Sequence, residues 1–127
     1  MFKTTIEPRF SETDALGHIN HTVFPIWFNF ARKDLYKRVH PSLALDDWPV
    51  TIGHFNIDIF HQTHYDSEVI INTGITKIGT KSFTVVHEAW QQGAMVARGE
   101  AVLVWFDYKE QASCAIPKDI RVLLAEY

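Results

Sequence analysis

From Phe2 to Phe10 the chain alternates: Phe2, Thr4, Ile6, Pro8 and Phe10 share one side, and Lys3, Thr5, Glu7 and Arg9 the other. A period of two marks a half-buried strand, and Pro8 suggests an edge or a bulge. Residues 11–21 are polar, contain turn formers and have no period. From about Thr22 to Val39 the period becomes helical. Val23, Trp27, Phe30, Ala31 and Leu35 line one side, Phe24 and Phe28 widen the stripe, and Asn29, Lys33 and Lys37 lie opposite. Asn20 or Thr22 can cap this helix, and Pro25 is tolerable in its first turn. So wide an aromatic stripe calls for a large partner, and a sheet is the obvious one. His40 to Pro49 reads as a loop. Thr51–Tyr65, Val69–Ile78, Ser82–Gln91 and Met95–Tyr108 are rich in Val, Ile, Thr, Phe and Trp and read as strands. Their separators, Asp66-Ser67, Gly79-Thr80 and Gln92-Gly93, are turn-like, and such short connections predict antiparallel neighbours. Pro117 to Tyr127 suits a short C-terminal helix.

This order predicts an α+β fold: one long central helix wrapped by a curved antiparallel sheet of about five strands, in a single domain spanning residues 1–127. Composition narrows the functions. At 127 residues the chain can bury a real core, and 46% hydrophobic with 21% charged residues is ordinary for a globular protein. A net charge of -3 argues against a nucleic-acid partner bound by phosphate neutralisation. The single cysteine, Cys114, excludes an internal disulfide and a Cys-only metal site, and it fits a reducing cytoplasm. The N-terminus lacks the build of a signal peptide, and no apolar run approaches the roughly 18 residues a membrane span needs. A cytoplasmic protein with no membrane partner is expected.

The chemistry concentrates between the first strand and the helix. Asp14 lies in a loop that ends at a helix N-terminus, followed by Gly17, whose missing side chain allows close approach to the backbone. Helix N-termini present unpaired N–H groups and partial positive charge, which suit a carbonyl oxygen that becomes negative in a transition state. A nearby carboxylate can attack that carbonyl or deprotonate a water. The plainer reading is that Asp14 caps a turn and Gly17 is a turn residue. The residues alone leave both open.

The stretch Ser11-Glu12-Thr13-Asp14-Ala15-Leu16-Gly17-His18-Ile19-Asn20-His21, continuing into Trp27-Phe28-Asn29-Phe30-Ala31-Arg32, resembles the opening motif of the 4-hydroxybenzoyl-CoA thioesterase family of hotdog proteins. Downstream, Ile78-Gly79-Thr80-Lys81-Ser82-Phe83 and Ala97-Arg98-Gly99-Glu100-Ala101 resemble later parts of that family in the same order. The resemblance implies a hotdog fold and hydrolysis of acyl-CoA without a cofactor. It also implies a homodimer or homotetramer with active sites between subunits. Carried over by position, Asp14 is the nucleophile or general base. Backbone N–H groups near His21 polarise the thioester carbonyl, and Gly17, His18 and Asn20 shape the loop. Thr80, Lys81 and Ser82 fall where the family contacts CoA. The chain departs from the motif at His21, where a second Asn is common, at Phe24, where Tyr is common, and at Asn29, where Glu is common. A second class of hotdog thioesterases carries its acid in the helix, and Asn29 offers none.

Other groups compete for these roles. His18 with His21, and His61 with His64, have the spacing of metal pairs, but the first needs a third ligand. The second lies in a predicted strand, where a spacing of three points the rings to opposite faces; no metal is expected. Glu12 is a rival base to Asp14. Asp34 is a rival helix acid, expected to face solvent or pair with Arg38. Asp58 is expected on a solvent face, and Cys114 in a loop without a nucleophile's surroundings. Three rival functions remain: an acyl-carrier-protein thioesterase, a hotdog dehydratase and a non-catalytic acyl-CoA binding module.

Overall fold

The computed structural model describes residues 1–127. Its elements are β1 (Phe2–Ile6), a 3-10 turn (Phe10–Glu12), α1 (Val23–Ala31), α2 (Lys33–Val39) and β2 (Val50–Ile59). Then follow β3 (Val69–Ile78), β4 (Ser82–Gln91), β5 (Ala94–Asp107), β6 (Ala112–Ser113) and α3 (Lys118–Leu124). The five longer strands form one antiparallel sheet in the order β1-β3-β4-β5-β2, and the two-residue β6 pairs with β5. It is the hotdog architecture, a curled sheet around a helix. No helix is long and apolar enough to cross a membrane.

Four expectations need correction. The first strand stops at Ile6, and Phe10, expected on its buried side, is exposed in the 3-10 turn. The central helix is divided at Arg32. The Arg32 N–H is shared between the carbonyls of Phe28 (3.1 Å) and Asn29 (3.3 Å), so the chain tightens there before α2 begins. Phe30 is 56% exposed rather than part of the buried stripe, which is Val23, Phe24, Trp27, Phe28, Ala31 and Leu35. Finally, β2 ends at Ile59, and it pairs with β5 rather than with β3. Residues 60–68 carry the chain from one edge of the sheet to its far side, so this connection is not the tight turn that Asp66-Ser67 suggested.

Alternation decides which side chains face the helices. Along β4, Phe83, Val85, His87 and Ala89 point inward and are buried; along β5, Ala97, Gly99, Ala101 and Leu103 do the same. The register sets Thr73, His87, Gly99 and Ile57 in one row across β3, β4, β5 and β2. A Cβ on Gly99 would lie 2.7 Å from Phe28 Cε2. Glycine at this position lets the Phe28 ring settle on the sheet, stacked on His87 at 4.9 Å and 9°. The core has two parts: α1 packs on β1, β3 and the ends of β4 and β5, while α2 and α3 close the other end around Phe83, Leu103 and Trp105.

Candidate active site

Hydrogen bonds within the loop shape residues 13–22. Thr13 bridges Ile19, and His18 bridges His64. The Asp14 N–H donates to the His18 carbonyl (2.7 Å), and Asp14 Oδ1 accepts from the N–H groups of Leu16 (2.8 Å) and His18 (3.2 Å). Asp14 therefore does close a turn. Its second oxygen, Oδ2, has no protein partner, and the side chain is half-buried. One oxygen holds the loop and the other is open to chemistry. Gly17 has φ +81, and an added Cβ would meet nothing within 4 Å. Its glycine answers a backbone need, and the space beside it is open.

Asn20 starts the helix. Its Oδ1 accepts from the Thr22 N–H (3.0 Å) and hydroxyl (2.8 Å), and its carbonyl accepts from the Val23 N–H (3.0 Å). The exposed His21 has an N–H with no protein acceptor, at the positive end of α1.

Glu12 is not free to act as a base. It is buried; Oε1 accepts the Arg9 N–H (2.7 Å), and Oε2 accepts Trp27 Nε1 (2.8 Å) and Arg9 Nη2 (3.3 Å). Burial pushes its pKa up, but the bonds from the Arg9 backbone, the Trp27 indole and the Arg9 guanidinium outweigh this and hold it below the usual value. Glu12 ties the loop to α1.

The histidines pair differently from their spacing in sequence. His18 meets His64 edge-on at 5.4 Å, in a loop rather than a strand, and the buried His18 Nδ1 has no partner. Nowhere do three His, Cys, Asp or Glu side chains gather as metal ligands would. Asp34 and Asp58 are exposed, and Arg38 pairs with Glu126 (3.7 Å) rather than with Asp34. Cys114 is a half-buried free thiol.

Thr80, Lys81 and Ser82 form the turn between β3 and β4. The far end of β4 touches the Asp14 region, because the Gln91 amide bonds the backbone of His64 (2.9 and 2.8 Å). Nine residues of strand, roughly 30 Å, separate the two. Within one chain Thr80, Lys81 and Ser82 are not brought to Asp14.

The sequence reading missed a cavity of about 400 Å³ between α1 and the β2–β5 edge, lined by Pro25, Ile26, Asn29, Arg32, Phe55 and His87, among others. Its polar lining is Asn29, Arg32, Asn56, His87 and Glu100; Arg32 Nη1 donates to His87 Nε2 (3.1 Å), and His87 Nδ1 meets Thr73 Oγ1 (2.9 Å). Since the guanidinium only donates, His87 Nε2 accepts and Nδ1 carries the proton. Two clues stood in the sequence. Arg32 falls one residue from the buried stripe, and His87 alternates with Phe83, Val85 and Ala89.

The family model of the thioesterase-like superfamily matches residues 8–124. The chain belongs to that superfamily. A predicted thioesterase from Bacillus stearothermophilus is 40% identical, with 98% of this chain and 94% of that one covered and a TM-score of 0.96. A thioesterase from Thermus thermophilus, solved with coenzyme A and Zn, is 25% identical over 94% of each chain, at a TM-score of 0.86. A 1,4-dihydroxy-2-naphthoyl-CoA thioesterase from Synechocystis shares the fold at 20% identity, covering 98% and 96%, with a TM-score of 0.84. No curated protein matches. As a superfamily member the chain is a thioester hydrolase.

Proposed function

We propose that this hydrolase cleaves acyl-CoA to CoA and a free carboxylic acid, with Asp14 as nucleophile or general base. The observation that carries the reading is the loop itself, which offers one unpartnered carboxylate oxygen and one unpartnered backbone N–H within eight residues, ending at a helix N-terminus. The His21 N–H, aided by the α1 dipole, stabilises the developing oxyanion. Asp14 Oδ2 either attacks the carbonyl, releasing the CoA thiolate and leaving an anhydride for water to open, or takes a proton from the attacking water. Gly17, His18 and Asn20 hold the loop in place. The coenzyme A bound to the Thermus relative supports CoA as the thiol carrier over an acyl carrier protein.

Thr80, Lys81 and Ser82 lie at the end of β4 away from the Asp14 loop, so their contact with CoA is assigned to a second copy of the chain. The open edge of β2, with Ile52, Phe55 and Ile59 exposed, supports a homo-oligomer as the working form. The whole chain is taken as one catalytic domain, working in a reducing cytoplasm.

The test is thiol release from a panel of acyl-CoAs, followed with a thiol-reactive dye. Asp14→Asn should keep its fold and oligomeric state yet lose at least about 10²–10³-fold in turnover. Near-full activity would remove Asp14 from the mechanism, and release only from carrier-protein esters would replace CoA as the substrate's thiol.

A further inference from the structure

The cavity beside α1 holds a charge that the chain does not balance. Arg32 is 7% exposed. Its Nε donates to the Tyr36 hydroxyl (3.1 Å), Nη1 to His87 (3.1 Å) and Nη2 to Asn29 Oδ1 (3.2 Å). All three partners are neutral. His87 is kept so by burial and then by the charge of Arg32, which together bring its pKa down to about 3. Of the five guanidinium N–H groups, two have no protein acceptor. No carboxylate forms an ion pair with Arg32. Glu100 borders the cavity, but it alternates with the inward-facing Gly99 and Ala101, and its carboxylate pairs with Arg98 (3.0 Å). A buried guanidinium without a counter-charge is costly, and a ligand that brings an anion recovers that cost.

Apart from Asn56, the remaining lining is apolar: Pro25, Ile26, Ile52, Phe55, Ile57 and Ala101, with Phe28 beside His87. It extends from Pro25, in the first turn of α1, to Arg32. Seven helical residues span about 10 Å. On the proposed function, on which this inference rests, the thioester carbonyl sits at the N-terminal end of α1. The acyl group then runs along the helix toward the guanidinium.

We propose that the acyl group this enzyme takes ends in a carboxylate bound by Arg32, so that its substrates are CoA half-esters of short dicarboxylic acids. Arg32 is the specificity-determining residue, remote from the reacting carbonyl. The aliphatic middle of the acyl group lies against Ile26, Ile52 and Phe55.

Adipyl-CoA and hexanoyl-CoA test this, since they match in carbon number and differ in carboxylate against methyl. Wild type should favour adipyl-CoA in kcat/KM by about tenfold or more, the worth of one charge-assisted hydrogen-bond pair. Arg32→Met should reverse the order. Asn29→Asp places a carboxylate where Arg32 already donates, and should cancel the preference without unfolding the protein; it carries the test if Arg32→Met does not fold. Thermal shift with free adipate against free hexanoate reads the same site without turnover. If no ester releases thiol while adipate stabilises wild type but not Asn29→Asp, the acyl-CoA reading fails and the anion site stands. Equal kcat/KM for both esters, with equal thermal shifts, would overturn the inference and leave the thioesterase reading intact.

Discussion

Glu12 and His87 show how burial and partners together fix a protonation state. Glu12 keeps its charge because three donors meet it; His87 stays neutral because burial and a guanidinium both oppose a second proton. Their effects on stability fall in different pH windows. Well above pH 6.5 the histidine is neutral both in the folded and in the unfolded chain, so His87 has no influence there. Below 6.5 the unfolded chain takes up a proton that the folded chain refuses until about 3, and stability falls with pH across that interval. The slope from one such group is at most about 1.4 kcal/mol per pH unit. Glu12 acts only lower, as pH falls below 4.5 and its carboxylate begins to protonate in the unfolded chain. Denaturant midpoints should therefore drop in wild type between about pH 7 and about pH 5. His87→Gln, which can still accept from Arg32 and donate to Thr73, should flatten that drop; an unchanged slope would assign the titration to another group.

At the scale of elements, the contact between Phe28 and Gly99 sets how closely α1 approaches the sheet. A methyl group at Gly99 would press on the Phe28 ring and also lie 3.2 Å from the Asn56 carbonyl. Neither the buried ring nor the strand backbone can give way easily. Gly99→Ala should cost about 1–3 kcal/mol, as overpacking does, measured by chemical denaturation. A neutral effect would mean that α1 can lift from the sheet. Gly99 was legible in sequence only as part of a motif, because its need for glycine arises from a helix about seventy residues earlier. The limits of β3 and β4, by contrast, agree with their sequence patterns to the residue, since turn formers and alternation are local properties.

For the molecule as a whole, β2 is the exposed element. It pairs on one side only, and Ile52, Phe55, Ile59 and the following Phe60 are large apolar side chains left in solvent. An edge strand of this length and character invites a second copy. Sedimentation should find a dimer or tetramer, and the double substitution Ile59→Lys with Phe60→Lys should shift it toward monomer. Activity should fall in parallel if Thr80, Lys81 and Ser82 of a second copy complete the CoA site. A wild-type monomer that is fully active would remove both the oligomer and the composite site.

Periodicity and turn chemistry are carried by neighbours in the chain, so sequence alone determined the α+β class, the antiparallel strands, the helical stripe apart from Phe30 and the break at Arg32, and the loop around Asp14. The motif in that loop was enough to suggest the superfamily. Only the tertiary structure decided the strand order, because the partner of β2 depends on where residues 60–68 lead. It also decided that Glu12 is tied to Trp27 while one oxygen of Asp14 stays open, and that His18 meets His64. The setting of Arg32 belongs to the same class. A charge on the edge of an apolar stripe reads as surface until the sheet folds over it, and only then do its neutral partners and its missing counter-charge become visible.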